Sequence, residues 1–168
     1  VILGGPEPPS YASEFLDYGA DVLVVGEGER TTEAVLEAIQ GSGVHRLHNI
    51  QGISFRDEQG NVVQTQPRDL IQNLDELPFP DREAIEVEQY MSTWREYHGR
   101  GSLSLITARG CPYTCKWCSH GVYGFSHRRR SPQNAVDEVE LLLTRYQPDM
   151  IWIADDVFTI HARWLFDF

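Results

Sequence analysis

Apolar and polar residues alternate along the first part of the chain with the spacing of short strands and helices. Residues 1–3 and 21–25 are largely apolar runs that predict two strands, each followed by a glycine turn. Helical spacing predicts a helix over residues 11–18, capped by Ser10, and a second helix capped by Thr31. This order is typical of a doubly wound parallel sheet. Because only two of its strands are present, we expect the chain to be a piece of a longer protein.

The middle of the chain predicts a hairpin and a linker. Two runs with strand-like alternation, residues 52–56 and 61–65, flank the turn sequence Asp-Glu-Gln-Gly. Residues 74–82 contain two prolines, which predicts an extended linker without regular structure. A short helix is expected over residues 83–90, followed by a loop.

The last third of the chain predicts a βαβ unit. Residues 102–107 and 150–154 are strand-like apolar runs. Between them, Ser131 and Pro132 mark the start of a helix, and Pro148 marks its end. The apolar stripe of this helix consists of Ala135, Val136, Val139, Leu142, Leu143 and Tyr146.

Charge and composition narrow the classes of function. The formal net charge is −11. Residues 1–100 carry 7 Lys and Arg against 18 Asp and Glu, whereas residues 101–168 carry 7 of each class. The acidic first part argues against a nucleic-acid-binding face. No run reaches the roughly 20 apolar residues of a membrane span and no secretion signal opens the chain, so we expect a cytoplasmic location.

All three cysteines lie on one loop, between the first strand and the helix of the βαβ unit. Cys111, Cys115 and Cys118 have the spacing Cys-x3-Cys-x2-Cys, which favours a metal centre over a disulfide framework. A structural zinc site takes four protein ligands, and His120 or His127 is the candidate for the fourth. An iron–sulfur cluster normally takes four cysteines, so three leave one iron open to a ligand.

Charged residues flank this loop in the predicted fold. Asp155 and Asp156 follow the second strand of the βαβ unit, at the edge where parallel sheets bind ligands. We expect them to hold a cation such as an ammonium group, unless they cap a helix that begins near Thr159. The basic run at residues 127–130 either offsets the charge of a cluster, binds a carboxylate or phosphate, or is surface charge.

The three cysteines, with Trp117 just before the last of them, resemble the cluster loop of radical S-adenosylmethionine enzymes. The resemblance implies that the cysteines hold a 4Fe–4S cluster, that S-adenosylmethionine chelates the fourth iron, and that Trp117 packs near the adenine. It also implies reductive cleavage of S-adenosylmethionine to methionine and a 5′-deoxyadenosyl radical. The family's Gly-Gly-Glu element, which contacts the methionine amino group, is replaced here by Ala154-Asp155-Asp156. Asp155 or Asp156 then takes that role, and the resemblance leaves open which.

The first region resembles the tail of a cobalamin-binding domain, in which Gly4 and Gly5 would line the slot for the nucleotide tail. The resemblance makes cobalamin an expected cofactor of the whole protein. The element that supplies a cobalt ligand in that family would precede residue 1, so the expectation concerns the whole protein and not this sequence alone. The implied class is α/β. It comprises the end of a cobalamin-binding-type (Rossmann-like) domain at 1–45, a hairpin and Pro-rich linker at 46–100, and the start of a partial (β/α) radical barrel at 101–168.

The expected function is that of a radical S-adenosylmethionine enzyme, acting by C–H activation or methyl transfer on a small-molecule or lipid-like substrate. We expect a flavodoxin- or ferredoxin-type reductant and no nucleic-acid partner. Two other classes stay open at this point. One is a non-catalytic zinc module built from the three cysteines and His120, and the other is an iron–sulfur protein that only transfers electrons.

Overall fold

The computed structural model of the protein describes residues 1–41, 44–118 and 120–168. These residues divide into two compact units. The first unit consists of Val1–Ile71 and Thr114–Gly124, and the second of Gln72–Tyr113 and Phe125–Phe168. Within the described ranges, every helix is too short or too polar to span a lipid bilayer.

A four-stranded mixed sheet forms the centre of the first unit. β1 (Ile2–Leu3) runs parallel to β2 (Val22–Val24), as predicted. β3 (Ile53–Arg56) and β4 (Val62–Gln64) form the predicted hairpin, and β3 pairs antiparallel with β2. The strand order is β1-β2-β3-β4, so the hairpin extends the parallel pair within one sheet.

Helices pack on both faces of this sheet. α1 (Ala12–Asp17) packs against Leu23, and α2 (Glu29–Gly41) packs against Val22. Neighbouring residues of a strand point to opposite faces, so the two helices lie on opposite sides of β2. This arrangement confirms the α/β class and the doubly wound pattern. The larger core cluster consists of Val22, Val35, Ala38, Leu47, Ile50, Ile53 and Phe55.

The predicted caps of α1 and α2 are wrong. Ser10 lies inside a 3₁₀ helix, Pro8–Tyr11, and α1 begins only after it. Proline in the first turn holds φ near its helical value, which starts the helical turn before Ser10. α2 begins at Glu29, so Thr31 lies within the helix. Thr31 is fully buried, and its hydroxyl accepts a hydrogen bond from Nε of Arg68 at 2.9 Å.

The predicted linker and the helix after it differ most from expectation. Residues 77–81, which contain both prolines, have no regular structure, as predicted, but short 3₁₀ helices flank them at Leu74–Glu76 and Arg82–Ala84. The side chains of Asn73 and Asp81 cap them by accepting backbone N–H groups. The expected short helix over 83–90 is replaced by α3 (Val87–His98), which Gly99 ends in the left-handed conformation.

The second unit contains the predicted βαβ unit. Its remaining elements, in chain order, are β5 (Ser102–Leu105), β6 (Ala108–Arg109), β7 (Arg128–Arg129), α4 (Pro132–Arg145), β8 (Met150–Ile153) and α5 (Ala162–Asp167). β5 and β8 pair in parallel, with Leu105 opposite Ile153. Ser131 caps α4 as predicted, because its Oγ accepts the N–H of Asn134 at 3.2 Å.

The buried face of α4 is not wholly apolar. Ala135 and Leu142 are buried as the stripe predicts, whereas Leu143 is half exposed. Glu138 is only 1% exposed and forms ion pairs with Arg82 and Arg130. A charged residue therefore occupies a position on the core-facing side of the helix.

Candidate functional site

A two-residue antiparallel ladder closes the base of the loop that carries the cysteines. In it, β6 pairs with β7, with Ala108 opposite Arg129 and Arg109 opposite Arg128. The N–H of Arg130 also donates to the carbonyl of Thr107 at 2.9 Å. The cysteine loop, residues 110–127, therefore leaves and rejoins the second unit at the carboxyl end of β5.

Gly110 occupies the first position after β6 and directly precedes Cys111. Its φ is +78°, a conformation that residues with a side chain adopt rarely. A Cβ built at this position would lie 2.1 Å from the carbonyl oxygen of Ser126 on the other side of the loop. Sequence reasoning did not single out Gly110, although its place between β6 and the first cysteine was visible.

In the part of the chain that the structure describes, the three cysteines form no disulfide. Cys111 belongs to the second unit and is partly buried, whereas Cys115 and Cys118 lie on the 114–124 segment of the first unit and are exposed. The N–H of Cys118 donates to the carbonyl of Cys115 at 3.1 Å, which forms a turn between these two ligand candidates.

The chemistry of these donors fits an iron–sulfur cluster. Three thiols on one short loop, with no disulfide among them, are the ligands that such clusters take. In the part of the chain that the structure describes, no three Cys, His, Asp or Glu side chains converge on a common point that would hold a metal ion. The assignment of the cysteines as ligands therefore rests on their type and spacing and stays a prediction.

Trp117 and His120 lie on the same segment as the last two cysteines. The Trp117 side chain is 88% exposed, so its ring is available to a ligand. Nδ1 of His120 lies 3.2 Å from the carbonyl oxygen of Gly124. Binding of zinc through Nδ1 would break this contact.

Asp155 lies at the tip of β8, and its side chain is fully buried. Its Oδ1 accepts the N–H of Thr107 at 2.6 Å and the N–H of Ala108 at 3.1 Å. Its Oδ2 accepts the Thr107 hydroxyl and lies 3.3 Å from Nη2 of Arg129. The carboxylate therefore joins the end of β5 to both strands of the ladder.

Asp156 differs from its neighbour because it is exposed. Neither aspartate caps a helix, since α5 begins at Ala162 and His161 occupies its N-cap. The helix-cap alternative for the pair is therefore wrong. The two acids are adjacent in sequence, but only Asp156 is accessible to a ligand.

The interpretation of the basic run as surface charge is wrong, because its three arginines pack into the second unit. Arg128 is buried. The Arg129 side chain is 7% exposed, and its guanidinium lies 4.3 Å from the ring centre of Trp164 and 5.6 Å from that of Phe158. The guanidinium of Arg130 pairs with a buried carboxylate of α4.

His127 opens the basic run and lies beside His161, with a ring-centroid distance of 5.4 Å. Burial, followed by the positive charge of Arg129 and the field of His161, lowers the pKa of His127 below its ordinary value of 6.5. Asp155 and Asp156 act weakly in the opposite direction. The neutral imidazole is therefore favoured in the folded protein.

Gly4 and Gly5 follow β1 in the first unit. A Cβ at Gly4 would meet only the Val24 side chain, at 3.8 Å. Gly5 has a φ of +113°, and no atom lies within 4 Å of a Cβ built there. Open space beside Gly5 is compatible with the approach of a ligand, and the role of both glycines in cofactor binding stays a prediction.

The chain matches curated enzymes over almost its full length. It is 32% identical over 167 residues to an uncharacterized methyltransferase of Pyrococcus horikoshii, covering 97% of this chain and 34% of that protein. It is 32% identical over 149 residues to the anaerobic magnesium-protoporphyrin IX monomethyl ester cyclase of Rubrivivax gelatinosus, covering 88% of this chain and 26% of that protein.

A third relative is a cobalamin-dependent radical enzyme. The cobalamin-dependent radical SAM methyltransferase TokK of Streptomyces tokunonensis is 30% identical over 166 residues, covering 97% of this chain and 24% of that protein. This chain is homologous to cobalamin-dependent radical S-adenosylmethionine enzymes. The predicted resemblance to the cobalamin-associated branch of radical S-adenosylmethionine enzymes is thereby confirmed, whereas the role of each cysteine stays a prediction. The chain spans about a quarter to a third of the length of these relatives. No protein-family model matches the chain.

Two solved structures of radical S-adenosylmethionine enzymes share the fold of this chain over most of its length. The cobalamin-dependent S-adenosylmethionine radical enzyme OxsB, solved with aqua-cobalamin and S-adenosylmethionine bound, superposes with a TM-score of 0.74 at 24% identity, covering 94% of this chain and 21% of OxsB. The radical S-adenosylmethionine methyltransferase TsrM of Kitasatospora setae gives a TM-score of 0.70 at 21% identity, covering 95% of this chain and 30% of TsrM. The match to TokK does not favour the zinc-module alternative.

Proposed function

We propose that this chain is the cluster-binding part of a cobalamin-dependent radical S-adenosylmethionine enzyme that transfers a methyl group or activates a C–H bond. The observation that carries the proposal is the loop of three cysteines that form no disulfide, within a chain that aligns over 97% of its length with such a methyltransferase. Methyltransferases recur among its relatives, which favours methyl transfer as the reaction.

Each candidate residue has a defined role in this proposal. Cys111, Cys115 and Cys118 hold a 4Fe–4S cluster, and Trp117 offers an exposed ring on which an adenine can stack. When bound, the reduced cluster supplies the electron that cleaves S-adenosylmethionine. Asp156 is exposed at the carboxyl end of β8, where its carboxylate can accept hydrogen bonds from an ammonium group.

The first unit is proposed to form part of the cobalamin site. Gly4 and Gly5 lie at the carboxyl end of a parallel strand, the edge at which doubly wound sheets bind their ligands. The absence of a side chain at Gly5 leaves space for the backbone to approach the cofactor closely. In OxsB, cobalamin is bound in a protein of the same fold.

The remaining features of the proposal concern the environment of the whole protein. We propose a flavodoxin- or ferredoxin-type protein as the electron donor and a small-molecule or lipid-like substrate. A reducing compartment such as the cytoplasm keeps three neighbouring thiols available for cluster assembly.

Anaerobic reconstitution with iron and sulfide tests the cluster. The wild-type chain is expected to become brown and to bind about four irons. Substitution of any one cysteine by serine is expected to lower the iron content strongly, whereas His120→Ala, the matched control on the same loop, is expected to keep it. A colourless protein that holds one zinc ion and loses it in His120→Ala would contradict the proposal.

Turnover in the full-length protein tests the reaction class. With dithionite and S-adenosylmethionine, we expect formation of 5′-deoxyadenosine or of S-adenosylhomocysteine, as detected by liquid chromatography and mass spectrometry. A protein that assembles the cluster but forms neither product would instead be an electron-transfer protein.

A further inference from the structure

We infer that Asp155 is a positioning residue, which fixes the base of the cysteine loop and makes no contact with S-adenosylmethionine. This inference rests on the proposed function and assigns different roles to two neighbouring acids that the sequence cannot separate.

The carboxylate of Asp155 has no free side for a ligand. A carboxylate offers about four lone-pair positions. At Asp155, two are filled by the N–H groups of Thr107 and Ala108, at 2.6 and 3.1 Å, and a third by the Thr107 hydroxyl. Nη2 of Arg129 lies at 3.3 Å on the remaining side, and the side chain is 0% exposed. An ammonium group would have to displace one of these buried donors.

The partners of Asp155 belong to both strands at the base of the loop. Thr107 and Ala108 lead into β6, and Arg129 is the opposite residue in β7, paired with Ala108. One carboxylate therefore fixes both sides of the ladder to the tip of β8. Since Cys111 follows Ala108 by only three residues, a displacement of the ladder would move this cysteine directly.

Arg129 also links the ladder to the residues that follow β8 and to α5. Its Nη2 donates to the carbonyl oxygens of Val157 at 3.2 Å and Phe158 at 2.7 Å. Its guanidinium also lies against the ring of Trp164 in α5. A buried guanidinium requires a negative partner, and the ion pair that the structure describes for Arg129 is with Asp155. Removal of the Asp155 charge is therefore expected to loosen the ladder as well as the strand end.

The experiment compares Asp155→Asn with Asp156→Asn in the full-length protein after anaerobic reconstitution. One readout is the rate at which an iron chelator removes the cluster. The other is the S-adenosylmethionine concentration that half-converts the electron paramagnetic resonance spectrum of the reduced cluster. Asp155→Asn is expected to lose iron about tenfold faster, because a buried donor is left unpaired, with unchanged half-conversion for the clusters that remain. Asp156→Asn is expected to keep iron normally and to raise the half-conversion concentration about tenfold.

A second pair of variants covers the case in which Asp155→Asn does not fold. Thr107→Val removes the hydroxyl that Asp155 accepts, and Thr107→Ser keeps it. We expect faster iron loss in Thr107→Val, rescue in Thr107→Ser, and wild-type affinity for S-adenosylmethionine in both.

The outcomes separate this inference from the proposed function. The inference would be overturned if Asp155→Asn kept its iron normally but its electron paramagnetic resonance spectrum no longer responded to S-adenosylmethionine. It would also be overturned if Thr107→Val lost iron no faster than the wild type. If the wild-type protein itself binds no cluster, the proposed function fails, and this is seen before any variant is compared.

Discussion

Gly110 shows how a single missing side chain determines the path of the cysteine loop. The backbone turns at φ +78°, and the Ser126 carbonyl occupies the space in which a Cβ would lie. Both constraints act on the residue that precedes Cys111. The start of the cysteine loop therefore depends on glycine for two separate steric reasons.

We predict that Gly110→Ala destabilises the chain more than Gly99→Ala does. Gly99 is the matched control, because its φ is also +78° but no atom lies within 4 Å of a Cβ built there. The left-handed conformation alone is expected to cost about 1–2 kcal/mol in Gly99→Ala. Gly110→Ala is expected to exceed this, since the Ser126 backbone must also move. Urea unfolding measures both, and equal losses of stability would show that the loop relaxes freely.

The elements of the second unit are held together by charged side chains as well as by apolar packing. Glu138 of α4 contacts Arg130, which precedes the helix, and Arg82, whose ion pair with it is 2.7 Å long. The side chains of the two arginines are 11% and 13% exposed, and that of Glu138 is 2% exposed. Asp75 adds a hydrogen bond, because its Oδ1 accepts the N–H of Ser131 at the start of α4. The linker between the hairpin and β5 thus packs onto the βαβ unit.

We predict that Glu138→Gln lowers the free energy of unfolding by about 3 kcal/mol, because two buried guanidinium groups lose their charged partner. Glu140→Gln is the control on the same helix, since Glu140 is exposed, and it is expected to change stability by less than about 0.5 kcal/mol. Chemical denaturation of the chain gives both values. A small effect of Glu138→Gln would mean that water replaces the carboxylate.

A second prediction for the elements concerns pH and Asp149, which precedes β8. The N–H of Gly101 and then the Arg95 side chain, through hydrogen bonds at 2.7 and 2.8 Å, lower the pKa of Asp149 below its ordinary value of 3.8. A lowered pKa means that the folded state favours the charged form. Its contribution to stability is therefore present above pH 3.8 and lost as the pH falls through the lowered pKa.

Asp149→Asn is accordingly expected to reduce the stability of the chain at neutral pH and to flatten its acid dependence. The melting temperature of wild type and variant, followed from pH 7 downwards, checks this. Asp137→Asn serves as the control, because Asp137 is exposed and accepts a hydrogen bond from the Gln133 side chain of its own helix, α4. If the melting temperature of Asp149→Asn fell with pH in parallel with that of the wild type, Asp149 would not be the source of the acid dependence.

At the scale of the whole molecule, one face of the parallel pair β5–β8 carries large apolar side chains in contact with solvent. Trp152 is 59% exposed, Ile106 is 54% exposed and Met150 is 39% exposed. Parallel strands in proteins are normally covered on both faces, so this surface is unusual for a chain alone in solution. Exposed apolar patches of this kind promote association.

We predict that the isolated chain self-associates through this face and that Trp152→Lys reduces the association. Sedimentation velocity over a range of protein concentrations measures the self-association. Tyr90→Lys on α3 is the control, since Tyr90 is also exposed, at 65%, but lies on another element. If the wild-type chain stays monomeric throughout the range, or if both variants act alike, the face of β5–β8 is not responsible.

Local patterns were sufficient to predict β1 to β5, β8, the hairpin, the βαβ unit and the cap of α4, because each depends on residues that are close in sequence. The short strands β6 and β7 were not predicted, since they pair across the whole cysteine loop. α3 was placed wrongly, since only Val87 and Met91 among its residues are buried and the remaining positions show no apolar stripe. The caps of α1 and α2 were wrong. Prolines start a helical turn before Ser10, and Thr31 lies inside α2, where its hydroxyl accepts a hydrogen bond from Arg68.

The sequence by itself determined the type and spacing of three cysteines, which resemble the cluster loop of a family and follow a strand in an α/β chain. Their role as cluster ligands stays a prediction. Only the tertiary structure decided the roles of the charged residues around them. Asp155 and Asp156 are equivalent in sequence, but the donors that bury Asp155 lie 48 residues away, at Thr107. The basic run is likewise buried by rings and carboxylates from distant elements. Burial and hydrogen bonding between residues far apart in the chain are set by packing, and no local pattern encodes them.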